Sequence, residues 1–180
     1  MVALLVKLGA CSMSGSKQKG QGPVPLDGKF WSGLAEKLPS AVQEAPIISE
    51  RDAIDCLVTA RWPSGVLCVR CSAAGPYSLS DRLTFQCRDC RHHFTVKTGT
   101  FMHWSRLDAA VWLRAARLII LHHWVRTRER HITVQTLAGR LVISYSAAHR
   151  IRELILADLG PDGDGLLLRA LCARSPANAS

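Results

Sequence analysis

Two Cys-x-x-Cys pairs constrain this chain more than any other feature of its sequence. Cys68 and Cys71 form the first pair, and Cys87 and Cys90 form the second after an interval of fifteen residues. Two pairs separated in this way can present four sulfur atoms to one tetrahedral zinc ion. The sequence therefore predicts one structural zinc ion, with no coordination position left open for catalysis.

The other cysteines and nearby histidines leave alternatives to this interpretation. A redox Cys-x-x-Cys opens a helix in a strand-helix-strand unit, and neither pair here has that context. The odd total of seven cysteines argues against a disulfide framework, and without a convincing export signal the expected compartment is the reducing cytosol. Free buried thiols remain an alternative, as do His92 and His93 as substitute ligands. Cys11, Cys56 and Cys172 are expected to be dispensable for metal binding.

Positive charge is concentrated in one part of the chain. Residues 82–153 contain thirteen Lys and Arg against four Asp and Glu, a difference of +9 that equals the formal net charge of the whole chain. A field of one sign on one module attracts polyanions through phosphate contacts and counterion release. The apolar runs are far shorter than the ~20 residues that a membrane span requires, so no membrane partner is expected.

Changes in composition and in the spacing of apolar residues divide the chain into four predicted parts, which together make a small α+β protein. They are a disordered leader (1–46), an N-terminal helix plus a zinc ribbon of short antiparallel strands (47–103), a three-helix, helix-turn-helix-like domain (104–160) and a tail (161–180). Ser49 stands three residues before Asp52 in a capping-box arrangement and marks the start of the first helix. In the leader, Trp31 and Leu34 are spaced so that a short amphipathic turn could dock on the folded part.

The last two predicted helices have the apolar pattern of a helix-turn-helix. The alternative is that they are only the last two helices of a bundle. Val142 stands at the turn position usually held by glycine, and it argues against the motif because a β-branched residue resists positive φ. The predicted DNA-binding residues are Arg140, Tyr145, Ser146, His149, Arg150 and Arg152 of this helix pair, together with Arg88 and Arg91 of the ribbon.

Several strings within residues 50–155 together resemble the transposase zinc-ribbon family, the N-terminal module of a group of bacterial insertion-sequence transposases. These strings are Arg61-Trp62-Pro63-Ser64-Gly65-Val66, Phe85-Gln86-Cys87-Arg88-Asp89-Cys90-Arg91-His92-His93-Phe94-Thr95-Val96, Lys97-Thr98-Gly99-Thr100-Phe101-Met102-His103 and Ser105-Arg106-Leu107, followed by Trp112. The resemblance implies that the ribbon and the following helices recognise double-stranded DNA at transposon ends. In that family a following DDE domain of RNase H type cuts and joins the strands.

We expect this sequence to lack that catalytic domain. Some twenty residues follow the last predicted helix, and Asp158, Asp162 and Asp164 lie in a turn that is typical of helix termination rather than of a two-metal site. We therefore expect a truncated, zinc-dependent DNA-binding protein without catalytic activity, in the cytoplasm of a bacterium and nucleoid-associated when bound. The alternatives are a protein-interaction module and a recognition subunit for a separately encoded catalytic domain. The protein partners that the sequence leaves open are a second copy of the chain, in a homodimer, or a separate transposase catalytic subunit.

Overall fold

The computed structural model describes residues 28–40, 42, 48–79, 84–125 and 132–173. Within these ranges the chain forms six α-helices and one three-stranded antiparallel sheet, so the small α+β fold is confirmed. The helices are α1 (Gly28–Glu36), α2 (Glu50–Arg61), α3 (Ala109–Val125), α4 (Val134–Leu141), α5 (Tyr145–Leu159) and α6 (Leu166–Cys172). The strands are β1 (Tyr77–Ser78), β2 (Thr84–Gln86) and β3 (His93–Thr95), in the spatial order β1-β2-β3. No helix in the described ranges has the length and apolar character needed to cross a membrane.

The helix α3 is central to the fold, and its side chains Trp112 and Leu113 are buried. Its N-terminus is held by Glu50 of α2, whose carboxylate accepts hydrogen bonds from the backbone N–H groups of Ala109 (2.9 Å) and Ala110 (2.8 Å). The first N–H groups of a helix have no partner within the helix, and a carboxylate there also interacts favourably with the helix dipole. Glu50 therefore fixes the helix before the ribbon against the helix after it.

The ribbon has a small aromatic core of its own. The rings of Phe85 on β2 and Phe94 on β3 stack with their centroids 5.5 Å apart, and Trp62 packs edge-on against both at 6.1 and 6.2 Å. The neighbouring Arg61 donates a hydrogen bond to the carbonyl oxygen of Val96 at 2.7 Å. The end of α2 therefore attaches the ribbon to the helices.

The helix α1 lies inside the segment that was predicted to be disordered. Trp31 is only 1% exposed, and its indole stacks on the ring of His123 in α3 with the centroids 4.2 Å apart. Leu34, one helical turn further on, is also buried. The predicted disorder is therefore wrong for residues 28–40, because α3 is apolar around much of its circumference and can bury a further helix. Residues 1–27 of the predicted leader lie outside the described residues.

The predicted tail also contains a packed helix, α6. The buried carboxylate of Asp158, near the end of α5, accepts hydrogen bonds from the backbone N–H groups of Leu166 and Leu167, both at 3.0 Å. Burial raises the pKa of Asp158, whereas the two N–H bonds lower it. Asp158 therefore caps the start of α6, which agrees with a structural rather than a metal-binding role.

This capping role predicts a loss of stability. We expect Asp158→Ala to lower the free energy of unfolding by about 1–3 kcal/mol, because two buried N–H groups of α6 lose their acceptor. Denaturant unfolding would measure the change. Asp162→Ala is the matched control, since this exposed carboxylate lies in the same turn and its removal should change stability by less than about 0.5 kcal/mol. Equal unfolding of the two variants would contradict the capping role.

Candidate metal centre and nucleic-acid interface

The four predicted ligands come together in one cluster. The sulfur atoms of Cys68, Cys71, Cys87 and Cys90 all lie within 4.8 Å of one another. The Cys68 and Cys90 sulfurs are 3.7 Å apart, and those of Cys71 and Cys87 are 3.5 Å apart. Four sulfurs about 2.3 Å from a zinc ion form a tetrahedron with edges of about 3.8 Å. The cluster therefore fits a single structural zinc ion, which confirms the predicted cofactor.

The two loops that carry the cysteines have the same backbone geometry. In each loop the N–H of the first cysteine donates to the carbonyl oxygen five residues further on, at 2.8 Å in the first loop and 3.0 Å in the second. The residue after each pair is left-handed, with φ of 62° at Ser72 and 58° at Arg91. This conformation turns the chain back after the second sulfur. Glycine adopts this conformation without steric cost, whereas Ser72 and Arg91 do not.

The four thiols cannot all ionise easily without a cation. Burial raises the pKa of Cys68, but hydrogen bonds from the backbone of Arg70 and from neighbouring groups lower it to about 6. A backbone hydrogen bond at Ala73 lowers the pKa of Cys71, but contacts with the thiols of the second pair raise it to about 12. One thiolate thus makes the ionisation of its neighbour harder. A divalent cation removes this conflict, so zinc binding must release protons.

The two histidines after the last cysteine lie outside this cluster. Among the described residues, the four cysteines are the only group of three or more His, Cys, Asp or Glu side chains close enough to hold a metal ion. His93 contacts the side chain of Gln86, with 2.9 Å between the two Nε2 atoms. The ring of His92 lies nearly parallel to that of Phe94, with the centroids 6.2 Å apart. Both histidines therefore belong to the packing of the ribbon.

Comparison with known proteins agrees with this metal centre. Residues 48–93 match the transposase zinc-ribbon domain family. The matched stretch begins just before α2, contains all four cysteines and ends at the first residue of β3, so it includes the complete zinc cluster.

A second comparison found a relative from an archaeon. A part of this chain is 27% identical over 106 residues to a protein of Halobacterium salinarum described as "Uncharacterized protein in transposable element ISH50". The aligned part covers 57% of this chain and 33% of the relative, so the chain spans about a third of that protein's length. No solved structure matches the chain. Because this relative is archaeal, the bacterial origin stays a prediction.

Beyond the zinc ribbon, α4 and α5 form a helix pair joined by residues 142–144. The side chain of Thr133 caps α4, and the side chain of Ser144 caps α5 by accepting from the N–H of Ala147 at 3.3 Å. Val142 adopts the left-handed conformation with φ of 55°, although its β-branched side chain was expected to resist it. The side chain is 90% exposed and the following N–H bonds to Ala138 at 3.1 Å, so the turn tolerates a backbone cost of roughly 1–2 kcal/mol.

The predicted DNA-binding residues occupy two exposed surfaces and one partly buried position. Four of them lie in the first half of α5, and Arg140 is exposed near the end of α4. Those four exposed residues are Tyr145, Ser146, His149 and Arg150. Arg88 and Arg91 are exposed in the second cysteine loop, where the Arg88 guanidinium lies 4.7 Å from the ring centre of Tyr77.

Arg152 differs from the other predicted DNA contacts. Its Nε donates to the carbonyl oxygen of Ile132 at 3.2 Å, and a terminal nitrogen pairs with the carboxylate of Glu153 at 2.8 Å. Its side chain is only 18% exposed. These bonds tie α5 to the segment before α4, a placement that favours a structural role over the predicted phosphate contact.

A groove beside the first half of α5 contains residues that the sequence analysis did not assign to a site. Trp104 and Arg106 line it from the loop before α3, opposite Ser146 and Arg150 of α5. Trp104 is 82% exposed. The signal in the sequence is a tryptophan that follows a histidine and comes two residues before an arginine, but only the folded chain brings this loop against α5.

Proposed function

We propose that this chain is a zinc-dependent protein that binds duplex DNA with α5, in the manner of a helix-turn-helix. The observation that carries the proposal is the exposed first half of α5. It holds Ser146, His149 and Arg150 within the part of the chain that carries the whole net charge. The transposase zinc-ribbon match earlier in the chain supports the same class of ligand.

The spacing of the exposed residues suits a recognition helix. Ser146, His149 and Arg150 are related as i, i+3 and i+4, so they share one face of α5. Ala148 and Ile151 face the core and are buried. In helix-turn-helix proteins the N-terminal residues of the second helix contact base edges in the major groove. An arginine on that face can bind guanine with two hydrogen bonds.

We further propose that the chain supplies recognition rather than strand cleavage. The only candidate metal cluster of three or more ligands among the described residues is a four-cysteine site, in which a zinc ion would have no open coordination position for catalysis. The relative belongs to a transposable element. Two roles agree with this, the end-recognition part of a transposase and a recognition subunit for a separately encoded catalytic domain.

A protein-interaction module is the second candidate, and one observation favours it. The ribbon exposes Leu67, Tyr77 and Leu79 on the side of β1, with Tyr77 53% exposed. Binding to duplex DNA that weakens steeply with salt would favour the first candidate, because counterion release is the signature of phosphate contacts. Binding to a partner protein that is nearly independent of salt would favour the second.

Two arginine substitutions test the proposed orientation on DNA. Arg140→Ala should weaken binding to all duplex sequences and reduce the slope of log K against log salt by about one unit, because a phosphate contact is lost. Arg150→Ala should cost roughly 1–3 kcal/mol on a preferred site and relax the preference there, if this arginine reads a guanine. Affinities of the zinc-loaded protein for sites selected from a random pool would be compared at several salt concentrations.

Arg51→Ala is the matched control for this test. Arg51 is an exposed arginine of α2, outside the charged part of the chain, so the same charge is removed away from the proposed interface. We expect its salt slope to stay at the wild-type value. Unchanged binding by both test variants, or losses that appear only on substitution of Arg88 and Arg91, would move the DNA-binding surface from α5 to the ribbon.

A further inference from the structure

The groove beside α5 has the lining of a nucleic-acid site. Its volume is about 450 Å³. The charged side chains that line it are those of Arg106 and Arg150, and no acidic side chain of the described residues joins them. Phe101 and Trp104 supply aromatic surface, and the buried Trp112 lies behind them. The groove therefore combines positive charge with aromatic rings, which suits an anionic ligand that also has a flat apolar face.

Trp104 is held in place although it is exposed. Met102, two residues earlier, is completely buried. On the other side, the ammonium group of Lys97 donates hydrogen bonds to the carbonyl oxygens of Ser105 (3.2 Å) and Leu107 (3.0 Å). The loop is thus anchored on both sides of an indole that is 82% exposed. A large apolar side chain fixed in solvent is a typical mark of a binding surface.

A histidine also orients the indole. The backbone N–H of Gly99 donates a hydrogen bond to Nδ1 of His103 at 3.3 Å, which sets the direction of the imidazole. The ring of His103 then packs edge-to-face against Trp104, with the centroids 4.5 Å apart and the planes at 80°. Less conformational freedom is lost when a ligand stacks on a ring that is already held.

We propose that this groove takes an unpaired DNA base next to the bound duplex, and this inference rests on the proposed function. The base would stack on Trp104 while Arg106 contacts the phosphates of the same strand. Aromatic side chains and basic groups combine in this way in proteins that bind single strands. In an intact duplex each base is held in the stack by its pairing partner and its neighbours, so only an unpaired base can enter the groove. Arg150 lines the groove and also lies on the duplex-reading face, which places it at the junction.

The test compares two DNA molecules with the same duplex sequence, one with blunt ends and one with a short single-stranded extension. The first unpaired base of the extension is 2-aminopurine, whose fluorescence falls when it stacks. With full-length, zinc-loaded protein, we expect tighter binding of the extended DNA and quenching of the probe. Trp104→Ala should lose about 5- to 150-fold in affinity for the extended DNA, the cost of one lost stacking contact, and less than about 2-fold for the blunt duplex.

Two control variants separate stacking from other effects. Trp104→Phe should retain quenching, because a phenyl ring can still stack. Arg51→Ala removes an exposed side chain of α2 outside the groove and should bind both DNA molecules as the wild type does.

The outcomes distinguish the inference from the function on which it rests. Equal wild-type affinity for both DNA molecules, with Trp104→Ala unchanged, would overturn the inference and leave duplex binding in place. Equal losses on both DNA molecules in Trp104→Ala would also overturn it, since the indole would then serve the duplex or the fold. If the wild type binds neither DNA in a salt-dependent way, the proposed function itself fails.

Discussion

Cys87→Ser is expected to abolish zinc binding and to unfold the ribbon. Cys87 is 1% exposed, and the ribbon's own core is little more than Phe85 and Phe94 with the edge of Trp62. A core of this size cannot offset the entropy of ordering the ribbon. Structural zinc contributes about 10–16 kcal/mol in small zinc-dependent peptides, so most of the folding free energy of the ribbon should come from the metal. Metal analysis should fall from one equivalent to none, and the near-UV signal of Trp62 should collapse.

Cys172→Ser is the matched control for this experiment. Cys172 lies on α6, outside the metal cluster, and its thiol donates to the carbonyl oxygen of Lys37 at 3.2 Å, a bond that a serine can keep. This variant should bind one equivalent of zinc. A full equivalent in Cys87→Ser, or an unchanged near-UV spectrum of the wild type in chelator, would contradict the prediction.

The affinity for zinc should also depend on pH in a defined direction. The ligand must be thiolate, and the pKa of Cys71 is raised to about 12, so zinc must displace its proton throughout the neutral range. Affinity should therefore rise with pH, by about tenfold per unit for each proton displaced. Cys68, with a pKa of about 6, adds to this slope only below that pH. Zinc titration against a competing chelator, repeated between about pH 5 and pH 8, would measure the slope.

Trp31→Ala is expected to cost about 3–5 kcal/mol in the free energy of unfolding, the usual loss when a buried tryptophan is truncated. Trp31 is 1% exposed, and it joins α1 to the central helix through its stack on His123. Its removal should open a cavity against α3 and release α1. Denaturant unfolding, followed by far-UV circular dichroism, would measure the loss.

Trp104→Ala is the control, because it deletes the same side chain at a position that is 82% exposed. Its unfolding free energy should stay within about 0.5 kcal/mol of the wild type. If the two tryptophan variants unfold at the same denaturant concentration, α1 does not pack against α3 in solution.

The sequence by itself determined the features whose hydrogen bonds and metal ligands lie within a few residues of one another. Each cysteine loop presents its two sulfurs through its own backbone bonds, so spacing alone predicted the ligands. The start of α2 was predicted in the same way, since the Ser49 side chain accepts from the N–H of Asp52, three residues away, at 3.1 Å. Local hydrogen bonds of this kind leave a residue pattern that can be read without knowing the rest of the fold.

Only the tertiary structure decided the contacts between residues that are distant in the chain. The burial of α1 depends on an apolar face of α3 that lies about ninety residues later, and the capping of α3 by Glu50 spans 59 residues. Propensity for such short helices is weak in isolation, because most of their stability comes from packing. The groove likewise exists only where the loop of Trp104 meets α5. Burial against distant parts of the chain stabilises segments whose own pattern is weak. The sequence of such a segment does not indicate which surface will cover it.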